Sequence, residues 1–151
     1  MTDKKLKSHR VKIDKIDKEI YALIQKRASH AVAIGKIKSK VSPKESFYKP
    51  DRETKILRNI LNANKKGLLP DSKIRAIYKE LISGCLSLEE ILKVAYLGPE
   101  ATHSEAAVHN QFGSQALRIP TSTIDDVFYQ VINDDVNLGV VPVENSSEGV
   151  I

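Results

Sequence analysis

Arg27 and Lys38 are spaced so that a single helix would aim both at the same small anion. The series Ile20, Leu23, Arg27, Ala31, Ile34, Lys38 keeps steps of three and four residues throughout, the period of one helix face. Two cations therefore share a line with apolar residues. Their separation along a helix is roughly 16 Å, with about 20° of rotation beyond whole turns. Two extended side chains of roughly 6 Å each leave a gap the size of a small organic anion. Cations facing a core require a counter-charge, since desolvating them alone costs on the order of several kcal/mol. Glu89 continues the apolar stripe of Cys85 and Leu88 on a later helix, and could face the same space. Arg52 and Glu53 fall in the first turn of the helix between them. On spacing alone the alternative stays open: each cation lays its stem along apolar surface and keeps its charge in water, and Glu89-Glu90 is an exposed pair.

Arg10 precedes Arg27 on the same helix by about 25 Å and is rotated roughly 100° from it. It cannot reach a small ligand held by Arg27 and Lys38 of its own chain. In an antiparallel pair of helices it could reach the partner's.

The elements that would carry these residues are legible. From Leu6 to Val41 apolar residues recur at three and four, interrupted by Gly35 alone, which predicts one helix of roughly 35 residues. So long a stripe cannot be buried within ninety residues of one chain and asks for a helical partner. Ser42 to Pro50 reads as a loop, Pro50-Asp51 opens a second helix ending near Lys66-Gly67, and Pro70-Asp71-Ser72 opens a third. After Lys93 the pattern changes to short runs: a strand at Val94–Leu97, a helix near Ser104–Gln111 and a strand at Ala116–Ile119. A helix at Ile124–Asn133 follows, then a strand at Leu138–Val143 and a polar loop, Glu144–Gly149. That alternation predicts an α/β unit with a parallel sheet.

Charge divides at the same point. Of 24 Lys+Arg and 19 Asp+Glu, 23 and 11 lie at or before Lys93, leaving one base, Arg118, against eight acids beyond it. The sequence is therefore divided into a helical domain, 1–92, and an α/β segment, 93–151. A single cysteine, Cys85, excludes an intrachain disulfide and a cysteine-rich zinc site. No apolar run approaches the ~20 residues of a membrane span, and the lysine-rich start lacks a signal-peptide core. The expected location is the cytoplasm, with no metal, no membrane and no nucleic-acid partner; a positive face for phosphates would be spread over solvent rather than aligned with apolar residues.

The runs Arg10-Val-Lys-Ile-Asp-Lys-Ile-Asp17, Leu23-Ile-Gln-Lys-Arg27, Ile34-Gly-Lys-Ile-Lys38, Tyr48-Lys-Pro-Asp-Arg-Glu53 and Ile82-Ser-Gly-Cys-Leu-Ser-Leu-Glu89 resemble, in order, the helical chorismate mutases. Val94-Ala-Tyr-Leu-Gly-Pro-Glu-Ala-Thr102 and Gly139-Val-Val-Pro-Val-Glu-Asn-Ser-Ser-Glu-Gly149 resemble the opening of prephenate dehydratases. Enzymes joining the two, the P-proteins of phenylalanine biosynthesis, have that order. The resemblance implies an all-α three-helix mutase domain in an intertwined dimer, followed by a partial α/β segment like a periplasmic binding protein, and no cofactor. It implies that Arg27, Arg52 and Arg10 of the partner subunit bind the carboxylates of chorismate. Lys38 and Glu89 would meet the ether oxygen and Glu53 the ring hydroxyl. Cys85 falls where many members have serine, and Lys49 where some have an acid. Thr102, Asn145 and Ser146 match one wall of the dehydratase cleft, while Ala101 and His103 replace the usual glycine and aromatic residue. The sequence contains no Thr-Arg-Phe, the motif of that cleft's other wall, so the dehydratase reads as truncated and neither its activity nor a regulatory phenylalanine site is expected.

The implied reaction suits the residues. A pericyclic rearrangement of chorismate to prephenate needs no nucleophile, metal or proton abstraction, only a compact conformer and donors at the ether oxygen. Glu89 donates there only as the acid, which requires burial to hold its proton. Two rivals remain at this level: an isochorismate–pyruvate lyase on the same scaffold, and a non-catalytic basic helical binding module.

Overall fold

The computed structural model describes residues 2–41, 48–145 and 149–150. Helix α1 (Thr2–Val41) runs unbroken for 40 residues, about 60 Å at the usual rise, and starts four residues before the apolar period does. Lysines at its start are good helix formers, which extends it beyond its stripe. Helix α2 (Pro50–Ala63) begins on Pro50, whose missing N–H and fixed φ suit a first helical position. It ends earlier than expected, and Asn64–Lys66 follow as a single 3₁₀ turn. There the Asn64 side-chain amide donates to Leu69 O (2.9 Å) and Asp71 Oδ1 (2.7 Å), tying the turn to helix α3 (Asp71–Leu86).

Helix α3 packs against both α2 and α1. It stops at Leu86, and Ser87–Glu89 form a turn in which the Glu89 amide donates to Leu86 O at 2.8 Å. Glu89 is thus carried by a turn and not, as expected, by the helix. Ser87 Oγ bonds back to Gly84 O at 2.8 Å, a local alternative to helix continuation.

Strands β1 (Lys93–Leu97), β2 (Leu117–Thr121) and β3 (Leu138–Val140) form a parallel sheet in the order β2-β1-β3, with Ala95 beside both Ile119 and Gly139. Successive residues of β1 face opposite sides. Val94 and Tyr96 pack with Val108 under helix α4 (His103–Phe112), and Ala95 packs with Val127 of helix α5 (Ile124–Ile132). A Cβ on Gly139 would come within 2.5 Å of Val127 Cγ1, so the close approach of α5 to β3 requires glycine. Thr123 and Asp126 close a capping box at the start of α5. Strand β3 ends at Val140, short of the expected Val143, and a short antiparallel pair, β4 (Glu144–Asn145) and β5 (Gly149–Val150), falls at the expected polar loop.

The sheet unit docks on α3 through side-chain bonds. Lys79 Nζ donates to Asn110 O and Gln111 O at the end of α4, and Glu80 accepts from Ser114 N (3.2 Å) and Ser114 Oγ. Gly113, with φ of 80°, sits so close to Ser83 that a Cβ would fall 2.5 Å from Ser83 Cβ.

Candidate active site

The cations of α1 are held where their own helix meets α3. Arg27 Nη1 donates to Leu81 O at 3.2 Å, which anchors the guanidinium across the helix pair. Lys38 Nζ donates to Glu89 Oε2 at 3.3 Å, and the Glu89 carboxylate is largely shielded from solvent. Gly35 makes this approach feasible. A Cβ there would lie 3.3 Å from both Cα and Cβ of Glu89, closer than such contacts comfortably run. The one residue that interrupts the stripe of α1 is the seat of the Glu89 turn.

Between α1, α2 and α3 lies an open cleft of about 580 Å³. Six of the expected residues line it: Arg27, Lys38, Arg52, Glu53, Cys85 and Glu89. Ala31, Ile34, Ile56, Ile82 and Leu86 supply an apolar floor, and Cys85 is buried in it as a free thiol. The cleft also takes in His30, Tyr48 and Lys49. His30 lies three residues after Arg27 and four before Ile34, a spacing that could have marked it. Burial raises the Glu53 carboxyl above its ordinary value, an effect that Lys79 partly offsets. Burial likewise raises the Tyr48 phenol, opposed by its hydrogen bond with Gln111 and reinforced by Glu53.

Arg10 is exposed and lies outside the cleft. As its length implies, the stripe of α1 is not covered within one chain, and even Ile34 in the cleft is 46% exposed. Ile16, Ile20 and Leu23 are 52%, 48% and 66% exposed, because α2 and α3 are too short to cover the first half of a 40-residue helix.

In the sheet unit Thr102 serves as N-cap of α4, its hydroxyl accepting from Glu105 N at 3.4 Å. His103 is the first residue of α4, not a loop residue. Ala101 has φ of 62°, a left-handed conformation that costs a residue with a Cβ and suits glycine. Asn145 lies in β4; its side chain and Ser146 are outside the described residues.

An all-helical domain presenting cations and two acids to an apolar-floored cleft, with a parallel α/β unit behind it, defines a binder of small organic anions. Residues 9–90 match the type II chorismate mutase family and residues 94–151 the prephenate dehydratase family. The chain belongs to the type II chorismate mutase family. It is 44% identical over 149 residues to the bifunctional chorismate mutase/prephenate dehydratase of Stutzerimonas stutzeri, covering 97% of this chain and 40% of that protein. Proteins of the same name from Aquifex aeolicus and Pseudomonas aeruginosa are 47% and 41% identical, again over 97% of this chain and 41% and 40% of theirs. The chain thus spans about 40% of the length of these relatives.

Proposed function

We propose that this chain rearranges chorismate to prephenate in phenylalanine biosynthesis, in a cleft completed by a second copy of itself. The observation that carries the reading is the convergence of Arg27, Lys38, Arg52 and Glu89 on one apolar-floored cleft in a domain of the mutase family. Arg27 and Arg52 grip the substrate carboxylates, and Ile34, Ile56 and Ile82 press the ring and side chain into the compact conformer. Holding that conformer removes an entropic part of the barrier. Lys38 places its ammonium where the ether oxygen gains negative charge, and the low-dielectric floor strengthens that contact. Glu89 stands beside Lys38 at the same oxygen, and Glu53 takes the ring hydroxyl. Such a reaction asks no metal or cofactor of the protein.

The dimer is supported by the exposed apolar first half of α1 and by Arg10, which belongs to that half. Two antiparallel copies of α1 would cover each other's stripes and bring Arg10 of each to the other's cleft. Residues 1–92 are the mutase, and 93–151 open a dehydratase domain of periplasmic-binding-protein type, with Thr102, Asn145 and Ser146 on one wall of its cleft. The test is turnover with two substrates offered separately: chorismate should be consumed to prephenate and isochorismate left intact. Release of pyruvate from isochorismate, without prephenate formation, would replace the mutase by a lyase. For Glu89, Glu89→Gln, which keeps a donor at that position, should retain turnover, and Glu89→Leu should lower it about 100-fold. Equal turnover in the two variants would remove Glu89 from the ether oxygen.

A further inference from the structure

One aromatic ring belongs to two places at once. Tyr48 lines the mutase cleft beside Lys49, Arg52 and Glu53. The same ring packs against the hydrophobic core of the sheet unit, the cluster built on Val94, Tyr96 and Val108. It meets Phe112 edge-on, with ring centroids 5.4 Å apart and planes at 71°, a favourable arrangement of two aromatic quadrupoles. Its hydroxyl shares a hydrogen bond with Gln111, the residue before. Phe112 and Gln111 are themselves fixed to the mutase helices, since Lys79 and Glu80 of α3 clasp the end of α4 and the Ser114 backbone. The last turn of α4 is thereby set by α3 and in turn holds Tyr48.

We propose that the α/β segment supplies part of the mutase's substrate site, with Phe112 and Gln111 as positioning residues for Tyr48, which contacts the substrate at the mouth of the cleft. Tyr48 lies two residues before helix α2, whose first turn delivers Arg52 and Glu53 to the same cleft, so its placement bears on theirs. The ligand is an organic anion with an apolar ring, which an aromatic edge suits and a purely cationic rim would not discriminate. Release of Phe112 loosens the grip on bound substrate but leaves Lys38 and Glu89 in place. The effect therefore falls on KM and not on kcat.

This inference rests on the mutase reading, and steady-state kinetics with chorismate separate the two. Phe112→Ala should raise KM about tenfold with kcat within about twofold, the size expected from losing one aromatic pair and its packing. Phe112→Tyr, which keeps the edge-on ring, should restore a KM near that of the wild type. Because Phe112→Ala also thins a core, Gln111→Ala and Tyr48→Phe serve as variants that leave packing intact. Each should raise KM about threefold, the scale of one neutral hydrogen bond, and the double variant no further. Unchanged KM in all of these, with a lowered melting temperature in Phe112→Ala alone, would overturn the proposal and leave the mutase standing. A wild type that leaves chorismate untouched would overturn both.

Discussion

The two halves of the chain differ in how far each completes its own core. Among the described residues the core of the sheet unit buries eight apolar side chains, Leu92, Val94, Ala95, Tyr96, Val108, Ala116, Val127 and Val136. The three helices, a longer stretch of chain, bury only Ala31, Leu57 and Cys85. Composition does not cause this, because α1 is rich in isoleucine and leucine. Shape does. A sheet strand between two helices is covered on both faces by short local connections, whereas a 40-residue helix exposes any length its neighbours cannot reach. The proposed dimer would complete the helical half, whose cleft Arg10 of the same chain does not line.

Charging the exposed stripe of α1 should have the largest effect. Ile16→Asp with Ile20→Asp should convert a dimer to a monomer by light scattering. Turnover should fall at least about 100-fold, since losing one charged anchor alone is worth roughly 10²–10³ in rate. Equivalent substitutions at Phe128 and Ile132, exposed on α5, should leave the dimer and its turnover intact. A variant that remains dimeric with both isoleucines charged would place the interface elsewhere.

A smaller effect is expected at the point where α1 touches the Glu89 turn. Gly35→Ala forces its new Cβ against Glu89 at 3.3 Å, so the turn must shift by a few tenths of an ångström. Such a displacement should lower kcat about fivefold, with little change in KM, because it shifts the Lys38–Glu89 pair that the proposed mechanism sets at the ether oxygen. The smallest effects belong to the sheet unit. Ala101→Gly should raise stability by about 0.5–1 kcal/mol in denaturant titration, by relieving a left-handed backbone at a residue with φ of 62°. Glu105 is held below the usual carboxylate range, first by the Ala101 amide at 2.6 Å and then by Arg118. A depressed folded value adds stability that is present above the ordinary pKa of 4.5 and is lost as pH falls through the depressed value. Glu105→Gln should therefore lower the melting temperature at neutral pH and flatten its decline on the acid side.

Much of this architecture is legible in the sequence because it is periodic. Steps of three and four place Arg27, Ala31, Ile34 and Lys38 on one face, and the change of texture after Lys93 marks the start of β1. The cleft follows from those faces, and six of its seven expected mutase residues converge there within a single chain. What periodicity misses is contact between distant segments. Glu89 reaches Lys38 from a turn that ends α3 early, a local choice made by the Ser87 hydroxyl. Gly35 reads as an interruption until the Glu89 backbone is found lying on it. Tyr48 carries no periodic signal, since its partners Gln111 and Phe112 come from the other unit. The exposed half of α1 follows from the length of its stripe, which the helices of one chain cannot cover.

A cleft shared between two chains is open to subunit complementation. Arg10→Ala and Arg27→Ala dimers, each purified alone, should both be nearly inactive on chorismate. Mixed under conditions of subunit exchange, half of the dimers become hybrids with one intact cleft, which pairs Arg27 of one chain with Arg10 of the other. Activity should then rise to about one quarter of the wild type, the statistical yield of a symmetric dimer. A mixture that stays at the average of its two parents, after exchange has been verified by mass, would contradict the account.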